Sequence, residues 1–291
     1  MPEYRRQRGV ALISVLLVTA LVTLIVSDML ARQRLSLASS ANQLNQQQLW
    51  QLALSGEAWA RQQLLADLRD TDELGRMHLG QRWAQGEHAF DIEGGHIRIR
   101  LDDLSGRLDL NTQNGNSDPV LRARYQRLLG VLGLPAHDPA SLLPRLGRDG
   151  KPLPLADISE LQRLAPLDAA SLRRLRPWVR TTEGALNVST APAEVLAALE
   201  SLDLSVARAI VHARPAEGYA SVQAFLEQPL LQDRQVRSLG LGISSEHFRA
   251  TLDVELGERR LRLVSDLHTR ADGRVEVLRR RLAPPDTRFS E

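Results

Sequence analysis

Between Val10 and Ser27 the chain carries no charged residue, and Arg5, Arg6 and Arg8 crowd against Gly9 just before that run. No other stretch restricts the fold so strongly. A helix rising about 1.5 Å per residue over this run reaches roughly 27 Å, enough to cross the hydrocarbon core of a bilayer. The first charge beyond it is Asp28, followed by Arg32 and Arg34. The arginines before the run favour a cytoplasmic N-terminus, with the bulk of the chain on the other side.

Three readings of this segment compete. A secretory signal peptide needs small residues at a cleavage site after the apolar run. "IVSDMLARQ" puts Asp28 and Met29 there instead. A plain membrane anchor is compatible with the residues. The third reading is a prepilin-type leader, in which a short basic segment is removed after a glycine and the apolar helix is kept. "RQRG/VALISVLLV" resembles that pattern, with Met1 to Gly9 as leader and Val10 as the first mature residue. A residue without Cβ at Gly9 lets a peptidase approach the backbone closely.

Outside the leader, charge excludes little and composition is ordinary. The chain has 291 residues, 43% hydrophobic and 25% charged, values typical of a globular protein. Residues 1–9 account for the whole net charge of +2, so the remainder exerts no global pull on nucleic acid. Lys151 is the single lysine. With no cysteine, disulfides, thiolate-bound zinc and thiol catalysis are excluded.

The helix is expected to continue past the membrane run. Leu49, Leu52, Ala53, Gly56, Ala60 and Leu64 follow a three-and-four spacing, and no proline occurs between Pro2 and Pro119. "LRDTDELG" at Leu68–Gly75 reads as its end. Phe90–Ile92 and Ile97–Leu101 alternate apolar and polar around Gly94-Gly95, which predicts a hairpin. A turn at Ser105-Gly106 and a short strand to Leu110 follow. "NTQNGNSDP" is a loop, and residues 119–240 read as short helices broken by prolines, among them "PVLRARYQRLLGVLGL", "ADISELQRLA" and "LDAASLRRLRPWV". "HFRATLDVEL", "ERRLRLVSDLHT" and "RVEVLRRRL" then return to a period of two, joined at Gly257-Glu258 and Asp272-Gly273. One antiparallel sheet packed on a long helix, with a helical block inserted between its strands, is the economical topology.

In the block, "NVSTAPAEVLAAL" places Asn187, Ser189 and Thr190 ahead of Pro192 and Glu194, which reads as helix N-capping. "VARAIVHAR" and "GYASVQAFL" follow as helices. With Arg173, Arg174, Arg176, Arg208 and Arg214 nearby, this stretch also resembles helix-hairpin-helix DNA-binding modules of the competence type. Such hairpins use glycines that let backbone N–H groups meet a phosphate. The hairpin here, Ser201 to Ala207, has no glycine and carries Asp203. Nucleic acid is therefore an unfavoured partner.

The order of these segments resembles the type IV pilins and pseudopilins, in particular the K-type minor pseudopilins of type II secretion systems (GspK). In the wider family the fifth mature residue is usually glutamate, which pairs with the N-terminus of a neighbouring subunit. Here that position is Ser14, a departure typical of the K type; alternatively Ser14 hydrogen-bonds to its own helix. The resemblance implies an α+β, type IV pilin-like fold: a long N-terminal helix packed on an antiparallel sheet, with a large inserted all-α domain resembling a sterile alpha motif (SAM-like). The implied organisation is a leader at 1–9, a transmembrane and filament-core helix at 10–31, and the amphipathic part of the spine at 32–74. The first part of the sheet would occupy 85–117, the helical insert 118–243, the returning strands 246–282 and a flexible tail 283–291.

The same resemblance implies a function. A K-type protein is a single-pass inner-membrane protein with its bulk in the periplasm, processed by prepilin peptidase at Gly9 and N-methylated at Val10. It forms the tip of the periplasmic pseudopilus with the I- and J-type minor pseudopilins and initiates assembly for export of folded proteins. The major pseudopilin and the inner-membrane assembly platform are the further implied partners. A membrane-anchored DNA receptor of competence type and a minor pilin of a type IV pilus are the alternatives.

No catalytic residue and no metal ligand is assigned. The seven histidines show no HExxH or HxxxH spacing, and no GxSxG elbow or phosphate-binding glycine loop occurs. The resemblance also raises calcium, since some K-type members carry an Asp-rich loop in the helical insert that suits it, but a site is doubtful here. The corresponding "LLPRLGRDGKPLPLADISE" here is short and poor in acids, with Asp149 and Asp157 separated by Lys151. Asp102, Asp103, Asp109 and Asp118 form a second acidic group without a clear ligand pattern. No cofactor is expected.

Overall fold

A computed structural model describes residues 7–69, 76–111, 118–137, 153–164, 167–270 and 272–285. The first leader residues, the expected helix end at 70–75, most of the loop before Pro119, the loop carrying Asp149 and Lys151, and the end of the tail lie outside the described residues. The chain divides into two units, Met1–Leu52 and Ala53–Glu291.

The first unit is the leading part of helix α1, Gln7–Arg69. From Leu12 to Leu30 its large apolar side chains are exposed, Leu17 and Leu24 each to 69%. A helix this long and this apolar, with a mean hydropathy of 2.3 in its most apolar window, is able to cross a membrane. The hydroxyls of Thr19 and Thr23 are satisfied within the helix. Thr19 Oγ1 donates to the Val15 and Leu16 carbonyls at 3.0 and 2.9 Å, and Thr23 Oγ1 to the Thr19 carbonyl at 2.7 Å. Such bonds let threonine sit in lipid without an orphaned polar group.

In the second unit the rest of α1 packs on a five-stranded antiparallel sheet of order β1-β2-β7-β8-β9. These strands are β1 Glu87–Ile92, β2 Gly95–Asp103, β7 His247–Leu256, β8 Arg259–Thr269 and β9 Val275–Ala283. Ile97, Ile99, Phe248, Leu252 and Leu263 alternate onto the buried face, as a period of two requires. Ala53, Ala60 and Leu64 meet them from the helix. Gly56 lies so near that a Cβ there would stand 2.8 Å from Leu252 Cδ2. The β1–β2 turn needs its glycines: Gly94 has φ +79°, and a Cβ on Gly95 would overlap the Glu255 carbonyl.

Between β2 and β7 the chain leaves the sheet and builds a second core. Helices α2 Pro119–Val131, α3 Leu161–Leu164, α4 Ala169–Leu175, α5 Ala193–Leu196, α6 Leu204–His212 and α7 Val222–Leu226 surround Tyr125, Leu128, Leu175, Leu199, Ile210 and Phe225. The block is largely helical, but the all-α expectation leaves out two parallel strand pairs. β3 Leu108–Asp109 pairs with β4 Val179–Arg180, and β5 Leu186–Asn187 with β6 Leu241–Gly242. The short strand expected to end at Leu110 is β3, which pairs with β4 and not with the five-stranded sheet; β4, β5 and β6, two residues each, are too short for periodicity to reveal. "LDAASLRRLRPWV" is not helical to its end: Pro177 disfavours the helical conformation before it, the helix stops at Leu175, and Val179 enters β4.

Two ion pairs, each with one buried member, brace the cores. Arg124, 1% exposed, holds Glu200 by two hydrogen bonds of 2.9 and 3.0 Å and also donates to the Arg237 and Leu239 carbonyls. Glu57, on the sheet-facing side of α1, accepts from Arg280 at 2.8 Å through both carboxylate oxygens and from Ser265 Oγ at 2.6 Å. Burial opposes the ionisation of Glu57. The hydrogen bonds from Arg280 and Ser265 and the charges of Arg280 and Arg61 outweigh it and hold the carboxyl below the usual range.

Removing one member of such a pair strands the other. Arg280→Ala is expected to lower stability by about 2 kcal/mol, since Glu57 stays buried while the lost guanidinium is half exposed. Urea unfolding of the full chain in neutral detergent measures this, and Arg280→Lys is expected to recover part of the loss.

Candidate assembly segment and the polar junction of the insert

The three residues expected to govern processing and assembly, Gly9, Val10 and Ser14, all lie in the first turns of α1. The helix therefore runs without interruption through the expected cleavage position. Ser14 is exposed on the apolar stretch. They follow one another along a single helix.

A constellation that sequence reasoning does not find lies where the insert joins the sheet. At the end of β2, Asp103 Oδ2 accepts from Thr190 Oγ1 at 2.5 Å and from Ser245 Oγ at 2.6 Å, while its Oδ1 accepts from the Ser105 N–H at 2.7 Å. Asn187, fully buried, donates through Nδ2 to the Met77 carbonyl at 2.8 Å and to Ser245 Oγ at 2.7 Å. Its Oδ1 accepts from the Ser189 N–H at 2.8 Å, and its own N–H donates to the Ser105 carbonyl at 2.9 Å. Ser189 Oγ in turn accepts from the Tyr219 N–H at 3.0 Å. Burial pushes the Asp103 carboxyl up, and the three donors pull against that.

This overturns the capping role expected for Asn187, Ser189 and Thr190. The N-cap of α5 is Pro192, and no side chain bonds to the first turn of that helix. The polar side chains turn inward instead, because strand β5 buries Asn187 against the sheet and unpaired backbone groups there must be matched. A run of Asn, Ser and Thr carries the same local signal in both roles.

Beside this junction Arg180, 3% exposed, donates to the carbonyls of Arg107, Gly184 and Ala185 at 3.3, 2.6 and 3.0 Å. Burial pushes Asp109 up to about 6, against the opposing charge of Arg180. The acidic group Asp102, Asp103, Asp109 and Asp118 is not gathered into one site. Asp103 belongs to the junction, Asp109 accepts from the Asn111 N–H, and Asp118 caps α2 through the Val120 N–H at 2.8 Å. Asp157, in the stretch considered for calcium, accepts from the Ser159 N–H at 2.9 Å and pairs with Arg279 at 2.6 Å.

Among the described residues, Glu246, His247 and His268 are grouped closely enough to hold a metal, with ligand atoms within 4.8 Å of one another. The imidazoles stack across β7 and β8 with centroids 4.7 Å apart. Burial, the Arg180 charge and His268 push His247 down to about 4. The nearby guanidinium works against a cation, and we assign none.

At the possible DNA-binding hairpin, Asp203 caps α6. It accepts from the Val206 N–H at 2.9 Å and from Ser205 Oγ at 2.6 Å. Its carboxylate occupies the helix N-terminus that a phosphate would need. Arg174 and Arg214 are tied to the carbonyls of Leu132 and Ala191.

The junction predicts a strong response to Asn187→Ala. That change strands the Met77 carbonyl, Ser245 and the Ser189 N–H inside the protein, at an expected cost of about 3 kcal/mol. Equilibrium unfolding checks the loss. Hydrogen exchange is expected to localise it to the insert and β7, leaving the leading part of α1 unchanged.

Comparison with known proteins accords with this architecture. A model of the family described as Type II secretion system (T2SS), protein K, matches residues 186–244, the segment that opens at β5 and carries Asn187, Ser189 and Thr190. A protein of Pseudomonas aeruginosa named Type II secretion system protein K is 36% identical, covering 95% of this chain and 93% of its own. A Klebsiella pneumoniae protein of the same name is 33% identical, with coverages of 88% and 90%. The fold is similar to a chain in the crystal structure of the GspK-GspI-GspJ complex from enterotoxigenic Escherichia coli. The TM-score is 0.71 at 25% identity, covering 84% of this chain and 99% of that one. With this identity sustained over nearly the whole length, the chain belongs to the type II secretion system protein K family.

Proposed function

We propose that the protein is a minor pseudopilin that assembles with I- and J-type partners at the tip of a periplasmic pseudopilus and initiates its growth. The observation that carries this reading is one continuous helix. It begins as an exposed apolar segment and ends as the spine of a sheet whose β2–β7 connection holds a bulky insert. The solved relative comes from a complex with GspI and GspJ. An insert of this size would crowd a subunit stacked within a filament, whereas the tip leaves one end open. The family is a structural component of secretion, and the chain acts by assembly.

In this reading prepilin peptidase cuts after Gly9 and Val10 becomes the methylated start. The apolar segment rests in the inner membrane with the basic leader in the cytoplasm and the bulk in the periplasm. The assembly platform then extracts it into a filament whose body is the major pseudopilin. Ser14 cannot form the ion pair that glutamate makes with a neighbouring N-terminus, so the subunit is disfavoured beneath another and suited to the first position.

The N-terminal peptide of the membrane-extracted protein tests processing. With prepilin peptidase co-expressed, mass spectrometry is expected to find methylated Val10 at the start; without it, the leader should remain. Cleavage beyond Ala31, or an intact leader in both strains, overturns the reading. For assembly, Ser14→Glu is expected to let the subunit enter below the tip, seen as K-type protein along pseudopili. Unchanged placement and filament length would remove the role of Ser14.

A further inference from the structure

On the sheet face turned away from α1, where β7, β8 and β9 meet the insert, lies a cavity of about 250 Å³. Six arginines line it: Arg107, Arg176, Arg180, Arg249, Arg279 and Arg281. Only two carboxylates do so, Asp157 and Asp266. Both are engaged, Asp157 with Arg279 at 2.6 Å and Asp266 with Arg249 at 2.7 Å. Arg180 donates to the backbone carbonyls of Arg107, Gly184 and Ala185 and to Thr182 Oγ1. Among the described residues, Arg107, Arg176 and Arg281 have neither a salt-bridge partner nor a hydrogen-bond acceptor.

Three unmatched guanidinium groups converging on one partly enclosed space are costly. Burial first, and then the charge of Arg249, disfavours the cationic form of Arg107, with Asp102, Asp103 and Asp266 opposing. Burial, Arg249 and Arg176 do the same to Arg281, with Asp266 and Asp157 opposing. Burial and like charge together outweigh the aspartates at both groups. A guanidinium fork matches the paired oxygens of an oxyanion, and several forks match a doubly charged one. The volume falls below the roughly 300–1,000 Å³ of sites for larger organic ligands. It suits a compact ion with its hydration water.

We propose that this cavity binds a compact dianionic oxyanion of the phosphate class, held by Arg107, Arg176 and Arg281. The bound ion ties the turn after β2, the end of α4 and strand β9 together, and so fastens the insert to the sheet. This inference does not rest on the pseudopilus assignment.

The test uses the full chain in a neutral detergent, in chloride buffer at constant ionic strength. Inorganic phosphate and glycerol phosphate are titrated by calorimetry and thermal unfolding, with succinate as a carboxylate comparator. A saturable heat and a rising midpoint are expected with phosphate and not with succinate. Binding of inorganic phosphate alone supports a free ion as ligand; binding of glycerol phosphate as well supports the end group of a phosphorylated molecule. Arg107→Gln with Arg281→Gln is expected to weaken phosphate binding by roughly tenfold or more, the worth of one charge-assisted hydrogen bond. Without phosphate, that double variant should melt no lower than the parent, because repulsion has been relieved. Arg176→Gln alone should also weaken binding, and Arg274→Gln, outside the cavity, should leave it unchanged. A phosphate response no larger than that of equal ionic strength in chloride overturns the proposal. So does an equal response to succinate, or an undiminished phosphate response in the arginine variants.

Discussion

The antiparallel pairing of β2 with β7, from Gly95↔Leu256 to Asp103↔Phe248, is the constraint on which the rest of the second unit depends. It joins two segments separated by the whole insert. Because the side-chain period of a strand is two, a slip of one residue would turn Ile97, Ile99 and Phe248 away from α1. The hydrophobic face of the sheet and the point of return of the insert are thus fixed together. Leu104 N–H donating to the His247 carbonyl at 2.8 Å closes the ladder where the chain departs.

The polar junction follows from that geometry. Where the ladder ends, side chains meet the backbone groups: Asn187 serves the Met77 carbonyl and the Ser189 N–H, Asp103 the Ser105 N–H, Ser105 Oγ the Glu246 N–H and Ser189 Oγ the Tyr219 N–H. Asp103 and Thr190 complete the network from the last rung of β2 and the turn after β5. A satisfied network of this kind holds a bulky insert in one orientation, because any other would leave several donors and acceptors unpaired.

Much of the architecture was legible in the residues. The charge-free run after Gly9 specifies an apolar helix, and alternation in "HIRIRL" and "ERRLRLVSDLHT" specifies strands, since both are signals of local period. The spine stripe was read from Ala53, Gly56, Ala60 and Leu64. Glu57 was not, because a charge in an apolar stripe makes sense only once Arg280 and Ser265 are seen beside it.

By itself the sequence determined which segments are apolar helix, spine, strand or helical block, and in what order they come. Period, charge and turn chemistry act between near neighbours. Only the tertiary structure decided that Asn187, Ser189 and Thr190 leave α5 uncapped and bind the sheet junction instead, that short parallel pairs stitch the insert, and that arginines from β9, α4 and the turn after β2 share one cavity. Those outcomes are contacts between residues far apart in the chain. They are set by which buried donors and charges remain unmatched after the cores have packed.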